Sequence, residues 1–334
     1  MYKQIRDAPT DTLRGTGSDT RIVIYRSGAL GDMITSFPVF SNLRAAYPTS
    51  SITLIGPPDA STLAVSSDLV DEIVSSDSAW IAQWYMRDAT AVADALGRID
   101  LAFLYTDDND RSLSETLRAI GTARVIVHPP NPPRDMKRHV TDFALESLDL
   151  LGVPVLTRTP FVIPDMKLEC NSALGTVNRP FLFAHPGSSS ASRTWPDLVD
   201  CAAEIASEYS LDLVVNRGPI EVERGFRVSD NVAAQIVGPF DVQTLAAVVS
   251  KASLYIGNDT GPTHLAAALG VPTIAVFGPD SNSIQWAPRG SRVEIVSGKD
   301  RWPTRDEVRA AAKRLSEYLT PPRTDVFASR PRTD

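Results

Sequence analysis

The stretch Arg21–Asp32, RIVIYRSGALGD, decides the fold. Its first half, RIVIY, is a short apolar run that ends in a loop carrying Gly28 and Gly31, which reads as a buried strand. Asp32 stands where a helical pattern begins, and that pattern continues to about Ala46 before Tyr47–Pro48 closes it. Strand, glycine turn and helix together make the opening unit of a parallel sheet with crossover helices.

The same alternation extends outward. Strands are expected at 52–55, 73–74, 101–105 and 124–127, with helices at 61–65, 79–96, 111–120 and 140–151. A proline-punctuated stretch, 153–179, interrupts the series and reads as a connector. A second series follows, with strands at 181–184, 211–215, 254–256 and 273–277 and helices at 198–209, 242–250, 263–269 and 305–319. The 334 residues suit about two domains at roughly 150 residues each. The expected division is a loose arm at 1–20, a first domain at 21–165, a second at 166–319 and a disordered tail at 320–334. Two doubly wound, Rossmann-like domains leave a cleft between the carboxyl ends of their strands, where such sheets bind ligands.

Composition excludes several classes. Apolar runs are strand-sized, far short of the ~20 residues that span a bilayer, and no basic amphipathic helix stands out, so at most peripheral membrane contact is expected. A net charge of −7 without a basic run disfavours nucleic acid. Two cysteines, Cys170 and Cys201, with no Cys/His cluster, offer neither a disulfide framework nor a zinc site. The first twenty residues lack the apolar core of a signal peptide, so a cytoplasmic location is expected.

Three strand-end loops carry unusual chemistry. In the first, Ser27–Asp32, Gly28 and Gly31 permit close approaches, and Asp32 is either a helix N-cap or a carboxylate aimed into the cleft as general base. Pro38 lies too deep for a first turn, so that helix is kinked there or starts late. The spacing is G-x-x-G rather than G-x-G-x-x-G, and no acid ends the second strand at Ile55–Pro57, which argues against a dehydrogenase. The second loop, HPGSSSASRTWP at 185–196, is either a solvated serine loop or a phosphate cradle, in which Arg193 takes phosphate as a fork. Its His185 reads as scaffold and its Trp195–Pro196 as a packed anchor. The third, GNDTGPTH at 257–264, opens a short helix whose N-terminus at Thr260 and Gly261 offers backbone donors to an anion. There Asp259 caps the helix or accepts from sugar hydroxyls, and His264 bonds either a phosphate oxygen or the backbone. The acid run Asp107–Asp110 reads as a solvated loop rather than a metal site.

Together, YRSGALGDMITSFPVFSNLRAAYP, AHPGSSSASRTWP and GNDTGPTHLAAALGVPTIAVFGPDSN resemble the heptosyltransferases, ADP-heptose:lipopolysaccharide glycosyltransferases of family 9 with a GT-B fold. The resemblance covers roughly residues 20–300, with one motif per strand-end loop in the right order. It implies an inverting, metal-independent transfer with no cofactor. The donor would be a nucleotide-diphospho-sugar, ADP-heptose, and the acceptor a hydroxyl of a glycan, a lipid-linked saccharide or a small molecule, as in lipopolysaccharide biosynthesis. By that resemblance Asp32 is the base, on the acceptor loop with Gly28 and Gly31. Ser188, Ser189 and Arg193 meet the diphosphate, and Asp259, Thr260, Gly261 and His264 line the donor site. Phe240 packs near the nucleobase, and Glu221 or Glu223 reaches the ribose. The family often carries Lys where Arg193 stands, so the leaving group here meets a fork instead of a point charge. A non-catalytic nucleotide-sugar-binding protein and a GT-B-like nucleotide-sugar epimerase are the rival readings.

Overall fold

A computed structural model describes residues 20–164, 174 and 179–319. The expected arm at 1–20, apart from Thr20, the tail at 320–334 and most of the second half of the connector lie outside the described residues.

The first sheet has the parallel order β3-β2-β1-β4-β5, built from β1 (Arg21–Arg26), β2 (Ser51–Gly56), β3 (Glu72–Ser75), β4 (Leu101–Tyr105) and β5 (Arg124–His128). Its helices are α1 (Leu30–Ala46), α2 (Pro58–Ser66), α3 (Ala79–Tyr85), α4 (Ala89–Leu96), α5 (Ser112–Ala119) and α6 (Val140–Asp149). The second sheet, also parallel, has the order β11-β10-β9-β6-β7-β8. Its strands are β6 (Phe181–His185), β7 (Asp212–Asn216), β8 (Gln235–Val237), β9 (Leu254–Asn258), β10 (Thr273–Phe277) and β11 (Val293–Ser297). Its helices are α7 (Leu198–Glu208), α8 (Pro219–Glu223), α9 (Val242–Val249), α10 (Gly261–Ala268), α11 (Ser283–Trp286) and α12 (Arg305–Leu315). Central strands such as β1, β4, β6, β9 and β10 are buried nearly throughout, as expected of sheets covered on both faces.

Some expectations change. The single helix expected over 79–96 is two, because Arg87 adopts a left-handed φ of 65° and Asp88 starts α4 by accepting from Ala91 N–H at 3.0 Å. Strands β8 and β11 and helices α8 and α11 are additions, all short or lacking a clear apolar period. Helix α1 starts at Leu30 with Pro38 inside it, so it does not start late. The acid run caps a helix: the Asp108 carboxylate accepts from Leu113 and Ser114 N–H, and Asp110 accepts from Ser112 N–H.

The two domains share a core. One hydrophobic cluster joins Ile24, Phe37 and Phe40 of the first to Phe183, Tyr255 and Leu265 of the second. Across it α1 packs on α10 and α2 on α9. Buried Asn42 fastens the connector to α1: Oδ1 accepts from Leu156 and Thr157 N–H, while Nδ2 donates to the Pro38 and Thr157 carbonyls. That satisfies the whole amide inside the interface. No described helix is long and apolar enough to cross a membrane.

Candidate functional site

A cleft of about 620 Å³ opens between the carboxyl ends of the two sheets. Every candidate residue named from the sequence except Gly28 and Glu223 lines it, although they come from loops spread over more than two hundred residues.

Asp32 sits on the first-domain wall, in the first turn of α1. It is the third helical residue rather than the N-cap, and its Oδ2 reaches back to accept from Ala29 N–H at 3.0 Å. The capping bond therefore runs opposite to the expected direction, and it leaves the carboxylate partly exposed to the cleft. Gly28 stands behind it with φ +127°; a Cβ there would lie 2.7 Å from Asp32 Cβ, so glycine makes the room that the carboxylate uses. The other oxygen, Oδ1, accepts from Nη2 of Arg26 at 3.4 Å. Arg26 is buried, which lowers its pKa against the opposing pull of Asp32, and its Nε donates to Ser36 Oγ at 3.0 Å. The sequence reading passed over Arg26, whose last-strand position alone gives no sign of a buried guanidinium.

On the opposite wall the serine loop leaves β6. Ser188 is buried, and Ser189 accepts at Oγ from Arg193 Nη2 at 2.8 Å. Arg224, another residue the sequence reading missed, forks onto the Ser188 and Ser189 carbonyls at 2.9 Å each and braces the loop from behind. Asn258 at the end of β9 holds its other side, accepting from Trp195 N–H and donating to the Pro186 carbonyl. His185 is scaffold: its Nδ1 accepts from Asn216 Nδ2 at 3.1 Å, and burial lowers its pKa.

Arg193 faces an ion-pair partner in Asp259, with Nη1 3.5 Å from Oδ2. Burial raises the Asp259 pKa above the usual carboxylate range, and the guanidinium only offsets that. Thr260 is the N-cap of α10 in an extended conformation and lines the cleft with Gly261, the first helical residue; Pro262 carries no N–H, and Thr263 and His264 N–H return to the Thr260 carbonyl. Gly261 lets α10 meet α1 head to head, because a Cβ there would come within 2.8 Å of Leu30 Cβ. His264 is 3% exposed, its ring has no hydrogen-bond partner among the described residues, and burial takes its pKa to about 3, so the ring is neutral.

The two acids left open by the sequence differ in position. Glu221 is buried, lines the cleft and closes a capping box on α8 by accepting from Gly218 N–H at 2.8 Å, whereas Glu223 is exposed and off the lining. Phe240 is half-buried on the same side, ahead of α9. Asn131 and Trp286 also line the cleft, and neither was singled out from the sequence. No group of three or more His, Cys, Asp or Glu side chains among the described residues is arranged to hold a metal ion.

A family model described as Glycosyltransferase family 9 (heptosyltransferase) matches residues 140–315, more than half of the chain. The chain belongs to glycosyltransferase family 9. The lipopolysaccharide core heptosyltransferase OpsX of Haemophilus influenzae is 20% identical over 314 residues, covering 84% of this chain and 85% of that one. The fold is shared with the glycosyl transferase family 9 structure from Veillonella parvula, at TM-score 0.71 and 21% identity over 89% of this chain and 97% of that one. It is shared too with the E. coli ADP-heptose lps heptosyltransferase II, at TM-score 0.68 and 16% identity over 90% and 98%. The protein is thus a glycosyltransferase with two facing α/β domains, as in the GT-B heptosyltransferases. The matched region starts at α6, so the loop bearing Asp32 stands outside it and takes its meaning from geometry.

Proposed function

We propose that this family 9 enzyme transfers heptose from ADP-heptose to an acceptor hydroxyl with inversion at the anomeric carbon and without a metal ion. The observation that carries the reading is one cleft lined from opposite sides by Asp32 and by the Ser188–Arg193 loop. The named heptosyltransferases among its relatives support the sugar and the donor.

Asp32 takes the acceptor proton as that oxygen attacks the anomeric carbon on the face opposite the diphosphate. General-base help of this kind contributes ~10²–10⁴-fold. The N–H of Ala29 and the Arg26 guanidinium hold the carboxylate in place through different oxygens. Charge growing on the departing diphosphate is met by Arg193, by the Ser188 and Ser189 hydroxyls and by the N-terminus of α10. Arg193 leaves Asp259 to do this, exchanging a carboxylate for phosphate oxygens. Glu221 receives the ribose hydroxyls, and Phe240 packs on the base. Lipopolysaccharide core is the acceptor the relatives suggest.

The test is transfer from ADP-heptose followed by chromatography, with the anomeric configuration of the product read by NMR. Inverted product formed equally with and without EDTA supports the reading. Retained configuration, loss of activity in EDTA, or release of an altered sugar without an acceptor overturns it.

A further inference from the structure

We infer that His185 reads the ribose of the nucleotide: its Nε2–H donates to the 3′-hydroxyl, beside Glu221, which takes the 2′-hydroxyl. The inference rests on the nucleotide-sugar reading above and adds a specificity-determining residue to it.

His185 is fixed through one ring nitrogen and free at the other. The register pairs Ala184 with Val215, so His185 and Asn216 stand level at the ends of the adjacent strands β6 and β7. Asn216 is buried, and its Nδ2 donates to His185 Nδ1 at 3.1 Å. A ring that accepts at Nδ1 and is kept neutral by burial carries its proton on Nε2. That N–H has no partner among the described residues, and the ring, 6% exposed, lines the cleft. A buried donor left without an acceptor is costly, and a bound ligand removes the cost.

Glu221 offers the complementary half. Its Oε2 accepts from Gly218 N–H at 2.8 Å, while Oε1 has no hydrogen-bond partner among the described residues. Oε1 lies over Gly187, where a Cβ would fall on the carboxylate. The imidazole stands beside the same group: a Cβ on Gly218 would lie 2.7 Å from Oε2 and 3.6 Å from His185 Cε1, so ring and carboxylate border the space this glycine leaves. One open acceptor next to one open donor suits a vicinal diol, in which the first hydroxyl donates and the second accepts. A phosphate in that place has only acceptors to offer and is repelled by Glu221.

Strand order assigns the two hydroxyls. Phe240 follows β8, Glu221 follows β7, His185 ends β6, and the serine loop runs on from it. A nucleotide has the same sequence of parts: the base on C1′, then the 2′- and 3′-hydroxyls, then the phosphates on C5′. Laid along β8, β7 and β6 with its base on Phe240, it brings the 2′-hydroxyl to Glu221, the 3′-hydroxyl to His185 and the diphosphate to the serines.

The experiment titrates the full-length enzyme with ADP, 2′-deoxy-ADP, 3′-deoxy-ADP and inorganic pyrophosphate by calorimetry, and follows the imidazole nitrogens by NMR, which the chain's four histidines keep simple. The wild-type enzyme should bind ADP about three- to tenfold tighter than 3′-deoxy-ADP, the scale of one neutral hydrogen bond. His185→Asn keeps an amide near Nδ1 for Asn216 and has nothing at Nε2. It should bind ADP and 3′-deoxy-ADP equally while still preferring ADP to 2′-deoxy-ADP. His185→Gln, whose amide reaches the Nε2 position, should restore most of the difference. In the wild-type protein, which needs no variant to fold, the Nε2 resonance should move with ADP and stay in place with 3′-deoxy-ADP or pyrophosphate. Equal wild-type binding of ADP and 3′-deoxy-ADP, a 3′-deoxy penalty that survives in His185→Asn, an Nε2 resonance that answers pyrophosphate, or a ring protonated on Nδ1 overturns the assignment. Failure of the wild-type enzyme to bind ADP at all strikes the donor reading instead.

Discussion

Arg26 and Asp32 form an ion pair in which the cation is the hidden member: Nη2 lies 3.4 Å from Oδ1, with Arg26 3% exposed and Asp32 21%. Ser36 links the two a second way, accepting from Arg26 Nε and donating to the Asp32 carbonyl at 2.8 Å. A carboxylate held by a helix-end N–H on one oxygen and a buried guanidinium on the other is fixed in direction while its edge stays open to the cleft.

Asp32→Asn keeps an oxygen for the Ala29 N–H but has no place for a proton. Transfer should fall about 10²–10⁴-fold while ADP affinity holds at the wild-type value, measured by turnover and calorimetry on the same preparation. Arg26→Met removes the positioning cation together with the cost of burying it. It should lower kcat by up to about 10²-fold, as a misplaced reacting group does, with the donor KM preserved.

Arg193→Ala should weaken ADP about ten- to a hundredfold, the scale of a lost charge-assisted hydrogen bond, in calorimetric titration. Asp259→Asn removes the carboxylate that competes with the diphosphate for that guanidinium. It should tighten ADP and slow its release, so that product inhibition becomes stronger. Weaker ADP binding in that variant would mean that Asp259 is itself a contact to the nucleotide.

Glu221→Gln retains the capping box, since an amide oxygen still accepts from Gly218 N–H. Glu221→Ala breaks it. Both should narrow the preference for ADP over its 2′-deoxy analogue, while only the alanine variant should also lower the melting temperature. An unchanged preference would take the ribose away from this residue.

The domain interface should weaken in acid. His139 donates through Nε2 to the Ala287 carbonyl and accepts at Nδ1 from Thr141 N–H, so its ring is neutral, and burial lowers its pKa from 6.5 to about 4. A depressed folded value means that its contribution is fully present above the ordinary value and is lost as the pH falls through the folded one. The melting temperature should therefore drop between pH 6.5 and 4. His139→Asn, which retains an N-cap oxygen for Thr141, should flatten that slope. Below it, Asp142 adds a further loss: its hydrogen bonds to Arg289 hold its pKa at about 2, so that bond persists until the pH falls through that value.

Much of the second-domain wall of the cleft was legible because strand-end loops are written locally. Gly, Ser and Thr at a strand end set a turn by themselves, and the motifs at 185–196 and 257–264 each carry their own turn and helix start. Short pieces such as α8 and α11 escaped because four or five residues show no period, and with them went the difference in burial between Glu221 and Glu223. Asp32 was readable as a residue of consequence but not in its geometry, since the capping bond depends on where the helix begins.

The chain's own pattern determined the two parallel sheets, the cleft between them and the loops that face it, because apolar runs and glycine or proline stops act over a few residues. Only the tertiary structure decided what those loops meet. Arg26 reaches Asn131 across 105 positions, and Gln285 reaches back 149 and 152 to the segment that follows it. Such pairings follow from how two folded domains press together, and a buried cation is selected there by the space and charge that remain.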